Sequence, residues 1–254
     1  MDGHLSTSFA DRLRRRDTLV GTVLTLPSVP LAELVADPLD FVWIDLEHGA
    51  LAGRDVSALA VAARASGAAA FARLPSADAA ALAAVLDSGV DGVVAPRVES
   101  AAQARRLVER LHHPPRGSRG VAARRAQSYG RAAAPPPPDP LCLVQIESAA
   151  GVASADEIAA VEGVDALVVG CADLALALDG PPREAIAHVQ RAAAAQGVAS
   201  GIAGPDEAEL LLELAGEHST LLVCSADVRL YARAVDDAVA PLRVPTAGGL
   251  RVGA

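Results

Sequence analysis

Short apolar runs recur along this chain, each followed by a longer Ala/Leu/Glu/Arg-rich segment whose apolar positions fall at helical spacing. Runs of this length, bounded by polar or glycine positions, read as strands covered on both faces. They predict strands at 19–24 (LVGTVL), 41–45 (FVWID), 69–73 (AAFAR), 91–95 (DGVVA), 141–146 (LCLVQI), 165–169 (DALVV), 198–202 (VASGI) and 219–224 (TLLVC). Between and after them the longer period predicts helices at 77–88, 100–112, 154–161, 205–216 and 226–240. Ser154 and Glu157 stand at capping-box spacing, and Ser225 stands as the cap of the last helix. Eight alternating strand and helix units predict an α/β fold: one (β/α)8 barrel domain over residues 1–254, with a doubly wound open sheet as the alternative.

One interruption breaks the rhythm. Residues 113–140, HPPRGSRGVAARRAQSYGRAAAPPPPDP, form a long Arg- and Pro-rich loop, and a loop of that length inside a compact domain is usually a lid or a disordered segment. Its four consecutive prolines predict a stiff connector, and residues 244–254 read as a flexible tail.

Composition narrows the chemistry. At 254 residues and 52% hydrophobic the chain can bury a large core, and its net charge of -9 argues against nucleic-acid or anionic-membrane partners. The start, MDGHLSTSFADRLRRR, lacks the apolar core of a signal peptide, which points to a cytoplasmic protein. Cys142, Cys171 and Cys224 are odd in number and far apart, so they read as small buried thiols. All 22 basic residues are Arg. The absence of Lys excludes Schiff-base chemistry, lysine-bound pyridoxal phosphate and the P-loop, each of which needs a lysine amine.

In a barrel the reacting groups stand at the carboxyl ends of the strands. There the sequence places Asp45, Glu47 and His48 after the second strand and Arg73 at the end of the third. Pro96 and Arg97 follow the fourth, Gln145 and Glu147 end the fifth, and Gly170 to Asp173 follow the sixth. Glu147 and Asp173 are oxygen ligands from adjacent strands, and two carboxylates suit a hard divalent cation such as Mg²⁺ or Mn²⁺. An imidazole at His48 suits a general base, and the fork of Arg73 suits a carboxylate or a developing oxyanion. Asp87 falls in the last turn of a helix, where the dipole disfavours an anion; a turn or cap role and the orientation of an imidazole both remain open.

The ordered set IDLEHG, ARLPS, VLDSGVDGVVAPRVES, PPRGSRGV, VQIES and VEGVDALVVGCADL strongly resembles the metal-dependent class II pyruvate aldolases of the HpcH/HpaI family. That family includes 4-hydroxy-2-oxoheptanedioate and 2-dehydro-3-deoxyglucarate aldolases, and the resemblance runs over residues 9–240. It implies a (β/α)8 barrel assembled as a homo-oligomer, dimer or hexamer, through an exchanged last helix. It also implies cleavage of a 4-hydroxy-2-oxo acid to pyruvate and an aldehyde with Mg²⁺, Mn²⁺ or Co²⁺. By matching motif it makes His48 the base, Arg73 the enolate stabiliser and Asp87 the group that raises the basicity of His48. Gln145, Ala172 and Asp173 match the substrate-binding positions, and Glu147 and Asp173 the metal ligands; Asp45 and Glu47 would tune the hydrated metal. The chain departs from the family where Gly-Pro-Ala-Asp-Leu-Ser reads GCADLA, and where RGVAARRAQSYG is shorter than usual. Two other readings stand beside this one: a citrate-lyase-like enzyme acting on an acyl-CoA, which the arginines of loop 113–131 would suit, and a non-catalytic barrel acting as a binding subunit.

Overall fold

The computed structural model of the chain describes residues 8–131 and 138–243. Eight parallel strands close into a barrel in chain order: β1 (Leu19–Leu24), β2 (Phe41–Asp45), β3 (Ala69–Arg73), β4 (Gly92–Ala95), β5 (Leu141–Ile146), β6 (Ala166–Gly170), β7 (Ala199–Gly204) and β8 (Leu221–Ala226). The strands match the apolar runs of the sequence to within one or two residues at each end, and the open-sheet alternative is set aside because β8 pairs with β1. Among the described residues no helix is long and apolar enough to cross a membrane.

Side chains alternate across each strand, and the alternation separates two cores. Phe41 and Trp43 of β2, Phe71 of β3, Leu141 and Leu143 of β5, and Ala166 and Val168 of β6 join one cluster inside the barrel. Their alternates, including Val42, Ile44, Ala70, Ala72, Val144 and Leu167, join a second cluster between the strands and the outer helices. Two glycines make room for the aromatic rings: a Cβ at Gly21 would lie 2.5 Å from the Phe41 ring, and one at Gly92 would lie 2.8 Å from the Phe71 ring. The floor is closed by a helix that the sequence reading missed, Phe9–Arg14. Ser8 caps it by accepting the Asp11 N–H, and Phe9 packs 5.7 Å from Phe41 and 5.1 Å from Phe71, ring centre to ring centre. Six residues cannot form a stable helix alone, so this helix is held by the rings it meets rather than by its own propensity.

Three local expectations are corrected. The helix after β3 covers only Leu82–Asp87, because Ala77 and Ala79 are both buried with Asp78 and Ala80 exposed, an alternation no helix supports. The segment expected at 154–161 is two short helices, Ala149–Ala153 and Ala155–Ala159; Ser148 caps the first, and Ser154 between them makes no capping bond. Ser225 does not cap the last helix, Asp227–Val239. It has a φ of 58° with a buried hydroxyl lacking a partner among the described residues, while Asp227 accepts the N–H groups of Val228, Thr25 and Leu26. That carboxylate ties the end of β1 to the end of β8.

The long loop turns back on its own barrel. His113 Nδ1 lies 2.9 Å from the Arg119 carbonyl, and a short 3-10 helix spans Arg125–Gly130. Three of the four prolines, within 132–137, and the tail at 244–254 lie outside the described residues.

Candidate active site

The alternation that buries Phe41 and Trp43 inside the barrel also turns Asp45 inward at its carboxyl-terminal rim, where it is 1% exposed. Its register partner on β3 is Arg73. The guanidinium grips the carboxylate with both arms, Nε donating to Oδ1 at 2.9 Å and Nη2 to Oδ2 at 2.6 Å. Asp45 Oδ1 also accepts the backbone N–H groups of Glu47 at 3.0 Å and His48 at 3.3 Å. The charged end of β2 therefore has a structural cause: the chain beyond the strand is wrapped around a buried carboxylate, and the wrap sets the imidazole at the mouth. In this arrangement Asp45, which the sequence reading linked to the hydrated metal, fixes Arg73 and the loop that carries His48.

Glu47 is nearly buried, with Oε2 at 3.5 Å from Arg73 Nε and 3.8 Å from His48 Nε2. Burial pushes its carboxyl up, against the pull of Arg73 and His48. Burial also works against the charge of Arg73, but the Asp45 hydrogen bond together with the charges of Asp45, Glu47 and Glu147 outweighs it and raises the guanidinium above its usual range. The His48 side chain is 63% exposed, open to a substrate.

On the facing side, Gln145 and Glu147 continue the inward alternation of Leu141 and Leu143. Glu147 Oε1 accepts the Arg97 N–H at 2.9 Å, and Oε2 accepts from Gln145 Nε2 at 3.2 Å. Gly170 leaves the space this carboxylate occupies: a Cβ there would lie 2.5 Å from Glu147 Oε2. Burial and the repulsion of Glu47 push Glu147 up to about 7, against the Arg97 hydrogen bond. Asp173 sits in the first turn of the helix Cys171–Ala177, half-buried, with Oδ1 3.6 Å from Arg97 Nη2. That helix starts at Gly170 without a side-chain cap, so the early N–H groups at Cys171, Ala172 and Asp173 have no intrahelical acceptor. Cys171, where the resemblance expects proline, packs its sulfur against Gly204, and burial pushes its thiol up to about 11. All three cysteines are free.

Asp87 is not on this rim. A helix runs antiparallel to the strand before it, so the end of Leu82–Asp87 returns to the amino-terminal face, where β4 begins. There Asp87 accepts from Arg119 Nη2 at 3.2 Å and makes no hydrogen bond or ion pair with His48. Arg119, which the sequence reading did not single out, is buried, and with Arg64 and Arg125 it lines a cavity of about 320 Å³.

Four carboxylates (Asp45, Glu47, Glu147, Asp173) face two guanidinium groups (Arg73, Arg97), which leaves two negative charges uncompensated when all four are ionised; that excess is part of what pushes Glu147 up. Among the described residues no group of three or more His, Cys, Asp and Glu side chains is placed to hold a metal ion by itself. The pair Glu147 and Asp173, the charge deficit and the buried, unpartnered Oε1 of Gln145 together fit a hard divalent cation that completes its shell with water and substrate oxygen. Sequence reasoning placed two further residues on this rim, Gly170 and Arg97, without giving either a role. Gly170 matters through what its missing side chain admits, and Arg97 through its backbone N–H and its φ of 50°.

A closed (β/α)8 barrel with an exposed imidazole, a clamped arginine and paired carboxylates on its carboxyl-terminal rim, and no lysine anywhere, defines a lyase-type site that works without an imine. The chain belongs to the HpcH/HpaI aldolase/citrate lyase family, whose profile matches residues 30–208. It is 34% identical to a hydroxypyruvate/pyruvate aldolase of Deinococcus radiodurans, over 91% of this chain and 87% of that protein. It is 33% identical to a 2-keto-3-deoxy-L-rhamnonate aldolase of Salmonella typhi, over 94% of each. The crystal structure of an HpcH/HpaI aldolase/citrate lyase family protein from Burkholderia cenocepacia superposes with a TM-score of 0.87 at 31% identity, covering 94% of this chain and all of that one.

Proposed function

We propose that this enzyme is a divalent-metal-dependent aldolase that reversibly cleaves a 4-hydroxy-2-oxo acid to pyruvate and an aldehyde. The observation that carries the reading is Glu147, a buried carboxylate seated in the space left by Gly170, beside Asp173 and across from the Asp45–Arg73 pair. The names of the two aldolase relatives support the reaction class.

Glu147 and Asp173 would hold Mg²⁺, Mn²⁺ or Co²⁺, whose Lewis acidity offsets the charge that grows on the C2 oxygen. His48, exposed at the mouth, takes the proton of the C4 hydroxyl. As the C4 oxygen becomes a carbonyl, the C3–C4 bond breaks and its electron pair passes to C3, giving the aldehyde and the enolate of pyruvate. The proton held by His48 then returns to C3. Arg73 spends Nε and one Nη2 hydrogen on Asp45 and keeps three N–H donors for the enolate oxygen. The backbone N–H groups at Ala172 and Asp173 receive the pyruvyl carboxylate, and Gln145 Oε1 is free to accept from substrate or bound water.

Asp87 lies on the opposite face of its own barrel, so it reaches an imidazole only from another copy of the chain. The last helix supports such an assembly. Of Asp227–Val239 only Asp227 is buried, while Val228, Leu230, Tyr231 and Val235 are exposed, an apolar face that fits a second subunit. Light scattering at micromolar concentration should show more than a monomer; a fully active monomer would contradict the assembly. Three of the loop arginines that would suit the acyl-CoA alternative have partners within the chain, Arg116 with Asp139, Arg119 with Asp87 and Arg125 with Ser57, which weakens that reading for those three.

The test is pyruvate release from a panel of hydroxy-oxo acids with and without metal, alongside a panel of CoA thioesters. Chelation should abolish release, and activity in a metal-free preparation would sink the proposal. Glu147→Ala should raise the Mn²⁺ concentration needed for half-maximal activity. His48→Ala should leave it near wild type while slowing cleavage by about 10² to 10⁴ fold, the scale of general-base removal.

A further inference from the structure

Arg97 touches both carboxylates that would hold the cation, in two different ways. Its backbone N–H donates to Glu147, and its guanidinium lies 3.6 Å from Asp173. Its φ of 50° lies in the left-handed region, where glycine or asparagine is the usual occupant. The Glu147 hydrogen bond holds the backbone there, so the origin of the side chain is fixed on the rim. A long cationic side chain at a position whose backbone favours glycine calls for a reason beyond the turn.

Of the two guanidinium groups at the site, Arg73 is already committed to Asp45 and Glu47. Arg97 has one long ion pair and a side chain that is 66% exposed. That pair survives only while Asp173 is free. A divalent cation taking Glu147 and Asp173 neutralises the anion that Arg97 faces and repels its charge, which leaves an uncommitted guanidinium at the mouth, beside the place where the aldehyde half must enter or leave. A weakly hydrated planar cation in that position selects for an anionic group.

We propose that Arg97 is a specificity residue that alternates between Asp173 in the metal-free enzyme and an anionic group, a carboxylate, sulfonate or phosphate, on the aldehyde half of the substrate. The proposal rests on the aldolase reading above.

Condensation with pyruvate at saturating Mn²⁺ tests it, using glyoxylate and succinic semialdehyde as acidic aldehydes against glycolaldehyde and butanal as neutral ones. Wild type should favour the acidic members in kcat/KM. Arg97→Met should lower that preference roughly 10- to 100-fold, the scale of one hydrogen bond to a charged group, mainly through KM of the acidic aldehydes. Arg97→Lys, which keeps the charge, should restore part of it. In a separate titration without substrate, Arg97→Met should bind Mn²⁺ more tightly than wild type, because the competing ion pair is gone. An acid-to-neutral ratio unchanged by Arg97→Met overturns the proposal, as does Mn²⁺ affinity that is unchanged or weakened. If wild type condenses no aldehyde at all, the aldolase reading fails instead, and the Mn²⁺ titration still decides whether Arg97 competes for Asp173.

Discussion

Adding a single methyl group at Gly170 tests whether Glu147 is seated as described. The backbone there, φ -84° and ψ 92°, is open to any residue, so Gly170→Ala brings no conformational penalty. By restricting the unfolded chain it should even add roughly 0.4 to 1 kcal/mol. The penalty is steric. The new Cβ would lie 2.5 Å from Glu147 Oε2, 3.1 Å from Glu147 Cβ and 3.3 Å from Gln145 Nε2. Ordinary contact begins near 3.4 Å, so the carboxylate must withdraw by about 0.9 Å. That withdrawal stretches both the 2.9 Å bond from Arg97 N–H and the 3.2 Å bond from Gln145. Losing one charge-assisted bond is worth about 1.5 to 3 kcal/mol, which the entropic gain offsets in part, so a net destabilisation of about 1 to 2 kcal/mol is expected. Metal binding should suffer more, because a ligand oxygen displaced by nearly 1 Å no longer fits its cation; a loss of roughly 10- to 100-fold in Mn²⁺ affinity is expected. Calorimetric titration of Mn²⁺ into metal-free protein measures the second effect and urea unfolding the first. Gly53→Ala, at a position with open space, is the control and should change neither for the worse. A Gly170→Ala protein with wild-type Mn²⁺ affinity would refute the placement of Glu147 as a ligand.

Three further outcomes follow from the same geometry. Asp45→Asn removes the charge that Arg73 clamps, and with Glu47 still 3.5 Å away the expected loss is about 2 to 3 kcal/mol in urea unfolding, with a fall in kcat as the loop to His48 loosens; a loss under about 1 kcal/mol contradicts the clamp. Asp87→Ala leaves the buried Arg119 without its carboxylate and should cost about 2 kcal/mol in the same assay, whereas unchanged stability would mean that the pair is not formed. His112 is buried, and burial with Arg116 nearby holds its imidazole below the usual range, against Asp139. The native state then resists a proton that the unfolded chain accepts, so this residue lowers stability as pH falls below about 6.5 and has no effect well above it. The drop in Tm between pH 7.5 and 5.5 should be smaller in His112→Leu than in wild type; an equal drop rejects the assignment.

Strands were the most legible part of the chain because a doubly covered strand must be apolar throughout, and eight such runs stand out against the Ala/Arg/Glu background. Helix bounds were less legible where packing overrode local preference. Residues 77–81 have helical composition, yet Ala77 and Ala79 are drawn inward together and the turn is set by what they touch. Residues 9–14 carry almost no signal of their own, and only the rings of Phe41 and Phe71 make them a helix. The two serine caps failed for a related reason. Capping spacing is common along a chain, and the choice between Ser154 and Ser148, or Ser225 and Asp227, depends on which side chain meets free N–H groups.

For the site, residue type and distance along the chain proved to be separate kinds of information. Asp45, Arg73, Gln145 and Glu147 could be placed on one rim because each lies an even number of residues from an interior apolar position: two from Trp43, two from Phe71, and two and four from Leu143. The same counting separates Asp45 from His48. Asp45, with interior parity, had to be buried and paired, while His48, three residues further on, had left the strand and was free to face solvent. Asp87 was singled out by its place in the last turn of a helix and by the motif, and the topology separates it from His48 within one chain: a helix that follows a strand ends on the face where the next strand begins. Within one chain, therefore, Asp87 has Arg119 and not His48 within reach, and any influence on His48 would have to come from another copy of the chain.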